Sequence, residues 1–119
     1  MPETRTYTGS CHCGNVRYEV TSDFAKVISC NCSMCQRSGT LLGFAPATQF
    51  KLLSGEDSLQ DYRFNRNAIA HLFCKNCGIK SFARSKDREG TDMVAINVRC
   101  LEGVEPDTFE VTKVNGRAF

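Results

Sequence analysis

Seven of the eight cysteines in this 119-residue chain fall into short groups whose spacing suits the binding of a metal ion. Thiolates are preferred ligands of zinc, and pairs of cysteines one or two residues apart can reach the same ion. The eighth, Cys100, stands alone. The groups are Cys11-His12-Cys13, Cys30-Asn31-Cys32-Ser33-Met34-Cys35 and Cys74-Lys75-Asn76-Cys77.

The first and last groups together supply four thiolates, which is a complete ligand set for zinc. In extended backbone, residues i and i+2 face the same side, so both sulfurs of the first pair can reach one ion. A glycine, Gly14 or Gly78, follows each pair and lets the backbone bend away from the metal. Four protein ligands leave no place for water or substrate, so this pattern predicts a structural zinc site formed by Cys11, Cys13, Cys74 and Cys77.

The middle group has three thiols within six residues, Cys30, Cys32 and Cys35, and no fourth ligand beside them. Catalytic zinc sites typically have three protein ligands and one open position. A distant fourth ligand is the alternative: Cys100, His12 or His71, with Cys100 as the main candidate. However, a lone cysteine in a strand-like segment is usually a small core residue. We therefore interpret the middle group as an open site, with His12 at the surface and His71 as a hydrogen-bonded strand residue.

Composition and spacing argue against other uses of the cysteines. The first ten residues are polar and contain no signal-peptide core, and no apolar run approaches the roughly 20 residues that span a bilayer. We therefore expect a cytoplasmic protein with reduced thiols and no membrane partner. The flanks of the Cys74–Cys77 pair do not suit a redox motif, and the middle group does not fit common iron–sulfur spacings.

Charge gives no support for nucleic-acid binding. The formal charge of +2 counts every cysteine as neutral. Seven thiolates add seven negative charges and two zinc ions add four positive ones, which brings the total to about −1. The basic residues are also scattered among acidic ones, as expected for a solvated surface.

Apolar residues alternate with polar ones along most of the chain, which predicts a mainly β fold of eight to ten short strands with very little helix. The length is typical of one domain, so we predict a single zinc-binding domain over residues 1–119. A short helix is expected from Ser33 to Ser38, ending at Gly39, and a single helical turn at 105–108. Strands are expected at residues 16–21, 26–30 (as the second arm of a hairpin with the preceding strand), 44–50, 50–53, 59–64, 69–73, 79–83, 93–98 and 109–114.

Four segments, taken in order, resemble the glutathione-dependent formaldehyde-activating enzyme family, also called the centromere protein V/GFA family. All seven grouped cysteines match in order and spacing, and the resemblance covers nearly the whole chain. The segments that carry it are GSCHCGNV at 9–16, CNCSMC at 30–35, FCKNCG at 73–78 and NVRCLEGV at 97–104.

The resemblance implies a β-tent fold of small stacked antiparallel sheets and two zinc ions. It implies that Cys11, Cys13, Cys74 and Cys77 hold the structural ion and that Cys30, Cys32 and Cys35 hold a catalytic one. The activity it implies is a carbon–sulfur lyase reaction, the joining of formaldehyde and glutathione to S-(hydroxymethyl)glutathione, with a small thiol as the partner. A zinc-stabilised binding module without catalysis is the alternative.

The polar neighbours of the middle group are the first candidates for contacts with a substrate. These are Ser29, Ser33, Gln36 and Arg37. We expect Arg37 in particular to pair with a carboxylate of glutathione, because a guanidinium can bind a carboxylate through two parallel hydrogen bonds.

Overall fold

The computed structural model describes residues 4–64 and 69–118, and its fold is mainly β, as predicted. Ten strands and one six-residue α-helix, α1 (Ser33–Ser38), occur within these ranges, together with short 3₁₀ turns. None of the helices in the described ranges is long and apolar enough to cross a bilayer. The strands are β1 (Arg5–Ser10), β2 (Arg17–Ser22), β3 (Val27–Cys30), β4 (Leu42–Pro46), β5 (Phe50–Ser54), β6 (Leu59–Tyr62), β7 (Ala70–Cys74), β8 (Phe82–Lys86), β9 (Asp92–Asn97) and β10 (Val111–Val114).

The described strands form two sheets of different size. The smaller has the order β1-β2-β5 and is antiparallel. The larger has seven strands in the order β10-β3-β4-β9-β8-β7-β6. Its strand pairs are antiparallel except for β3 and β10, which run parallel. This pair differs from the prediction, which was of antiparallel sheets.

Aromatic side chains hold the two sheets together. Tyr18 of β2 lies 5.7 Å from Phe82 of β8 between ring centroids, and Phe50 of β5 lies 4.7 Å from the same ring. Val94 and Ile96 of β9 are fully buried in the same cluster. The larger sheet therefore presents one face to the smaller sheet, and side chains at alternate positions point to its opposite face.

The local predictions differ from the structure in four places. The strand expected at 44–50 ends at Pro46, and a 3₁₀ turn at Ala47–Gln49 separates it from β5. Residues 26–30 were expected to form a hairpin with the preceding strand, but β3 pairs with β4 and β10. The strand expected at 79–83 begins only at Phe82, because the chain is still leaving the Cys74–Cys77 turn. Strand β1 was not predicted, since most of its residues are polar, and only Tyr7 and Gly9 are buried in it.

The predicted helical elements are confirmed. Helix α1 spans Ser33–Ser38, and Gly39 ends it in the left-handed conformation with φ 70°. The turn expected at 105–108 is a 3₁₀ turn at Pro106–Thr108.

Candidate metal centres and an adjoining cavity

The outer two cysteine groups meet in space as one cluster of four sulfurs. Cys11 directly follows β1 and Cys74 ends β7, so two strands carry the pairs to one point. All four Sγ atoms lie within 4.8 Å of one another, with 3.6 Å between Cys11 and Cys13 and 3.7 Å between Cys13 and Cys74. Sulfurs about 2.3 Å from a tetrahedral zinc ion would be about 3.8 Å apart. The cluster therefore fits a four-coordinate zinc ion.

Backbone amides surround this cluster and act on its thiols. The Val16 amide donates a hydrogen bond to Cys11 Sγ at 3.3 Å. Burial nevertheless raises the pKa of Cys11 to about 11. At Cys77 burial acts in the same direction, but the hydrogen bonds from the backbone of Cys13 and Ile79 outweigh it and lower the pKa to about 6. Gly78, which was expected to let the backbone bend away after the cysteine pair, adopts the left-handed conformation with φ 80°.

The middle group forms a second cluster on a strand end and a helix. Cys30 ends β3, Cys32 caps the N-terminus of α1, and Cys35 lies buried within that helix. Their three Sγ atoms lie within 4.8 Å of one another. The Cys35 amide donates to Cys32 Sγ at 3.3 Å, and the Cys32 amide donates to Cys30 Sγ at 3.4 Å. The three thiols thus come from one short segment of the chain, a strand end and the first turn of a helix.

Within the described residues, no histidine, cysteine or carboxylate forms a fourth member of this cluster. Cys100 lies elsewhere, near Cys77 of the four-sulfur cluster. Burial raises the pKa of its thiol, a hydrogen bond with Ser81 lowers it, and the charge of Cys77 raises it. His12 is exposed. His71 is a buried residue of β7 that shares a hydrogen bond with Lys80. This agrees with its interpretation as a hydrogen-bonded strand residue. The cluster can supply three protein ligands to a zinc ion.

A cavity of about 360 Å³ adjoins the three sulfurs on the face of the larger sheet that points away from the smaller sheet. It exists because two central strands carry small side chains on this face, Ala83 of β8 and Ala95 of β9. The rest of the wall is mostly apolar. It includes Ile28, Leu42, Phe44, Ile69 and Val114.

The polar side chains that line the cavity are His71, Lys80 and Ser85. Lys80 is only 9% exposed, and its Nζ lies 2.7 Å from His71 Nδ1. Burial lowers the pKa of Lys80, whereas the nearby cysteines of the three-sulfur cluster act to raise it. Burial and the charge of Lys80 lower the pKa of His71 to about 4. His71 is therefore neutral at pH 7, and its Nδ1 accepts the hydrogen bond from Lys80.

None of the four polar residues expected to contact a substrate lines this cavity. Ser29, Ser33, Gln36 and Arg37 are absent from its wall. Arg37 instead donates to the Ser33 carbonyl at 3.0 Å along its own helix, and Gln36 accepts a hydrogen bond from Arg117. These residues adjoin the cysteines in sequence, but the helix turns Ser33, Gln36 and Arg37 outward to solvent. Ser29 is a half-buried residue of β3.

The C-terminal segment covers the loop of the three-sulfur cluster. A Cβ atom added at Gly116 would lie 2.3 Å from Cys30 Sγ, so only glycine allows this close approach. The Arg117 amide donates to Asn31 Oδ1 at 3.2 Å, and Arg117 Nε donates to the Asn31 carbonyl at 2.9 Å. The Asn31 amide in turn donates to the Val114 carbonyl. The end of the chain thus fixes the loop that carries the thiols.

Sequence reasoning missed Lys80, Ser85 and Gly116 as parts of this site. Lys80 and Ser85 are distant from residues 30–35 in the chain and reach the cavity only through the order of strands in the larger sheet. A lysine close after a cysteine pair and a glycine near a terminus carry no local signal that separates them from surface residues.

Comparison with known proteins agrees with this geometry. The model of the glutathione-dependent formaldehyde-activating enzyme family matches residues 6–113. Among solved structures, a crystal structure of a Rhodobacter sphaeroides protein is similar, with 34% sequence identity and a TM-score of 0.80 over 90% of this chain and 99% of that chain. The match spans both cysteine clusters and every described strand except the first residue of β1 and the last residue of β10. The chain therefore belongs to the glutathione-dependent formaldehyde-activating enzyme family.

Proposed function

We propose that this protein is a zinc-dependent carbon–sulfur lyase that makes or breaks adducts of small thiols with aldehydes. S-(hydroxymethyl)glutathione formation from formaldehyde and glutathione is the reaction that family membership favours. The observation that carries the proposal is the contrast between the clusters, since one has four sulfurs and the other has three sulfurs beside a cavity. We assign a structural zinc ion to Cys11, Cys13, Cys74 and Cys77, and a catalytic one to Cys30, Cys32 and Cys35.

The proposed reaction joins a thiol to a carbonyl carbon. The sulfur–carbon bond forms as the carbonyl double bond becomes single, and the proton leaves the thiol and ends on the carbonyl oxygen. A zinc ion held by three thiolates would bind and orient the substrate thiol and lower its pKa. Its Lewis acidity would be weak, because three thiolates already outweigh its charge.

The protein's own residues would complete the site around the reacting atoms. The apolar wall would exclude water from around a bound substrate and so strengthen polar interactions there. Lys80 offers hydrogen bonds at the wall, and neutral His71 holds its Nζ in place. A cytoplasmic location, where thiols stay reduced, is part of the proposal.

The test is to count metal ions and ask whether one of them responds to thiols. Protein purified without chelator should contain two zinc ions, and the cobalt-substituted form should change its thiolate–metal absorbance when glutathione is added. Cys35→Ser should lose one ion and the response, and formaldehyde–glutathione turnover should fall with it. Cys100→Ser is the matched control and should keep both ions. Two ions that ignore every thiol would contradict the proposal and leave a zinc-stabilised binding module.

A further inference from the structure

The wall of the cavity beside the three-sulfur cluster is mostly apolar, whereas glutathione is a highly polar molecule. Among the described residues that line it, the polar side chains apart from the sulfurs are His71, Lys80 and Ser85, and the others are apolar. Glutathione carries two carboxylates, one ammonium group and two peptide groups. Burial of such groups against an apolar wall without hydrogen bonds costs free energy. The described part of the wall offers few partners for the polar groups of the whole tripeptide.

Lys80 gives the cavity one strong polar anchor. An ammonium group has three N–H donors, and only one acceptor, His71 Nδ1, is found for Lys80 among the described residues. The side chain is more than nine-tenths buried and contributes to the cavity wall. A buried donor that lacks an acceptor is costly, so an oxygen of a ligand at this point would be stabilised.

No second cationic side chain lines the cavity in the described part of the chain. Arg37, the expected carboxylate partner, faces solvent and bonds its own helix. Lys80 is therefore the single cationic anchor among the described wall residues, and it lines the same cavity as Cys30, Cys32 and Cys35. At about 360 Å³ the cavity is near the lower end of the range for small-molecule sites.

We propose that this cavity selects small, largely apolar thiols that carry one carboxylate, with the sulfur at the three-sulfur cluster and the carboxylate on Lys80. Lys80 is then the residue that determines specificity. The inference rests on the proposed function, because it takes the three-sulfur cluster to hold an ion that binds a substrate thiol.

The experiment is a thiol titration of the cobalt-substituted protein, followed by the thiolate–cobalt absorbance. The ω-mercapto carboxylates with two to four carbons are compared with propanethiol, with cysteamine, which carries a cation, and with glutathione. The cobalt-substituted Cys35→Ser variant gives the baseline of the four-sulfur site. We expect the best mercapto carboxylate to bind at least about tenfold more tightly than propanethiol, because a charge-assisted hydrogen bond is added.

Lys80→Met should remove this difference in affinity between the mercapto carboxylates and propanethiol. Lys51→Met is the matched control, because Lys51 is an exposed residue of β5 in the smaller sheet. It should keep the difference in affinity between the two kinds of thiol. If Lys80→Met fails to fold, the ranking of thiols by the unaltered protein decides the question.

Tighter binding of glutathione than of every mercapto carboxylate would overturn the inference and leave the proposed function intact. The same holds if the preference persists in Lys80→Met. Cobalt absorbance that ignores every thiol would overturn both. These outcomes separate failure of the specificity assignment from failure of the open site.

Discussion

Substitution of Gly116 by alanine should weaken metal binding at the three-sulfur cluster while the four-sulfur cluster keeps its ion. The added Cβ would lie 2.3 Å from Cys30 Sγ and 3.0 Å from Cys32 Cβ. Ordinary contacts begin at 3.4 Å, so Cys30 or the C-terminal segment must move by about 1 Å. The backbone of Gly116 does not have a positive φ, so the substitution adds a clash rather than strain of the main chain.

The size of the effect follows from the cost of overpacking. Forcing an extra carbon into a packed site typically costs about 1–3 kcal/mol. If the three-sulfur cluster must keep its geometry to bind the ion, this cost appears in the binding free energy and weakens affinity roughly 5- to 150-fold. Cys30 Sγ is one of three ligands, and a shift of about 1 Å is large beside a zinc–sulfur distance of about 2.3 Å.

Native mass spectrometry and competition with a zinc chelator provide the assay. Gly116→Ala should release one of two zinc ions at a lower chelator concentration than the unaltered protein, and the second ion at the same concentration. Gly90→Ala is the matched control, because Gly90 has φ 83° and a Cβ there would meet nothing within 4 Å. It should strain an exposed turn and lower stability without selective loss of either ion.

Equal chelator resistance in Gly116→Ala and the unaltered protein would refute the packing of the C-terminal segment against Cys30. Loss of both ions together would also refute the reasoning, because it would show that the two clusters are not independent.

Three further predictions test other parts of the structure. Arg117→Ala removes the side-chain hydrogen bonds to the Asn31 carbonyl and to Gln36 but keeps the bond from the residue 117 amide to Asn31 Oδ1. It should weaken zinc retention at the three-sulfur cluster roughly two- to tenfold in the same chelator assay, whereas an unchanged affinity would contradict a role for these side-chain contacts. The pKa of His71, measured by NMR titration, should be about 4 rather than the ordinary 6.5, because burial and Lys80 disfavour the charged imidazole. The His71 signal is assigned by its loss in His71→Gln, and a titration midpoint at 6.5 would contradict the buried pair. Because the pKa is lower in the folded state, the unfolded state takes up the proton first as the pH falls. His71 therefore contributes up to about 3 kcal/mol to the free energy of unfolding, which is fully present above pH 6.5 and is lost as the pH falls toward 4. His71→Gln should lack this pH dependence of the free energy of unfolding, measured with denaturant. Tyr18→Phe should leave stability unchanged or raise it by about 1 kcal/mol in denaturant unfolding, because the buried Tyr18 hydroxyl has no partner among the described residues, and a clear loss would show that it has one.

The sequence alone determined the features that depend on neighbouring residues. The grouping of Cys30, Cys32 and Cys35 is confirmed because a strand end and one turn of helix suffice to bring their sulfurs together. The same holds for helix α1, whose end at Gly39 needs only one left-handed residue. Alternation of polar and apolar residues predicted the mainly β fold, because side chains in a strand point to opposite faces in turn.

The meeting of the outer two groups was also predictable, though for a different reason. Cys11 and Cys13 lie about sixty residues before Cys74 and Cys77, but a tetrahedral ion needs four ligands and each pair supplies two. The number of ligands that a tetrahedral zinc ion needs thus predicted that the two pairs meet, although they lie far apart in the sequence. The single domain over residues 1–119 and the roles of the two ions stay predictions.

Only the tertiary structure decided what faces the three-sulfur cluster. Alternation along β8 and β9 shows that each strand has two faces, but it does not say which strand lies beside which. The order of strands in the larger sheet brings His71 and Lys80 to the cavity, and the parallel pairing of β3 with β10 brings Gly116 against Cys30. These contacts join residues far apart in the chain, and they follow from how whole sheets bury their apolar faces rather than from any local pattern.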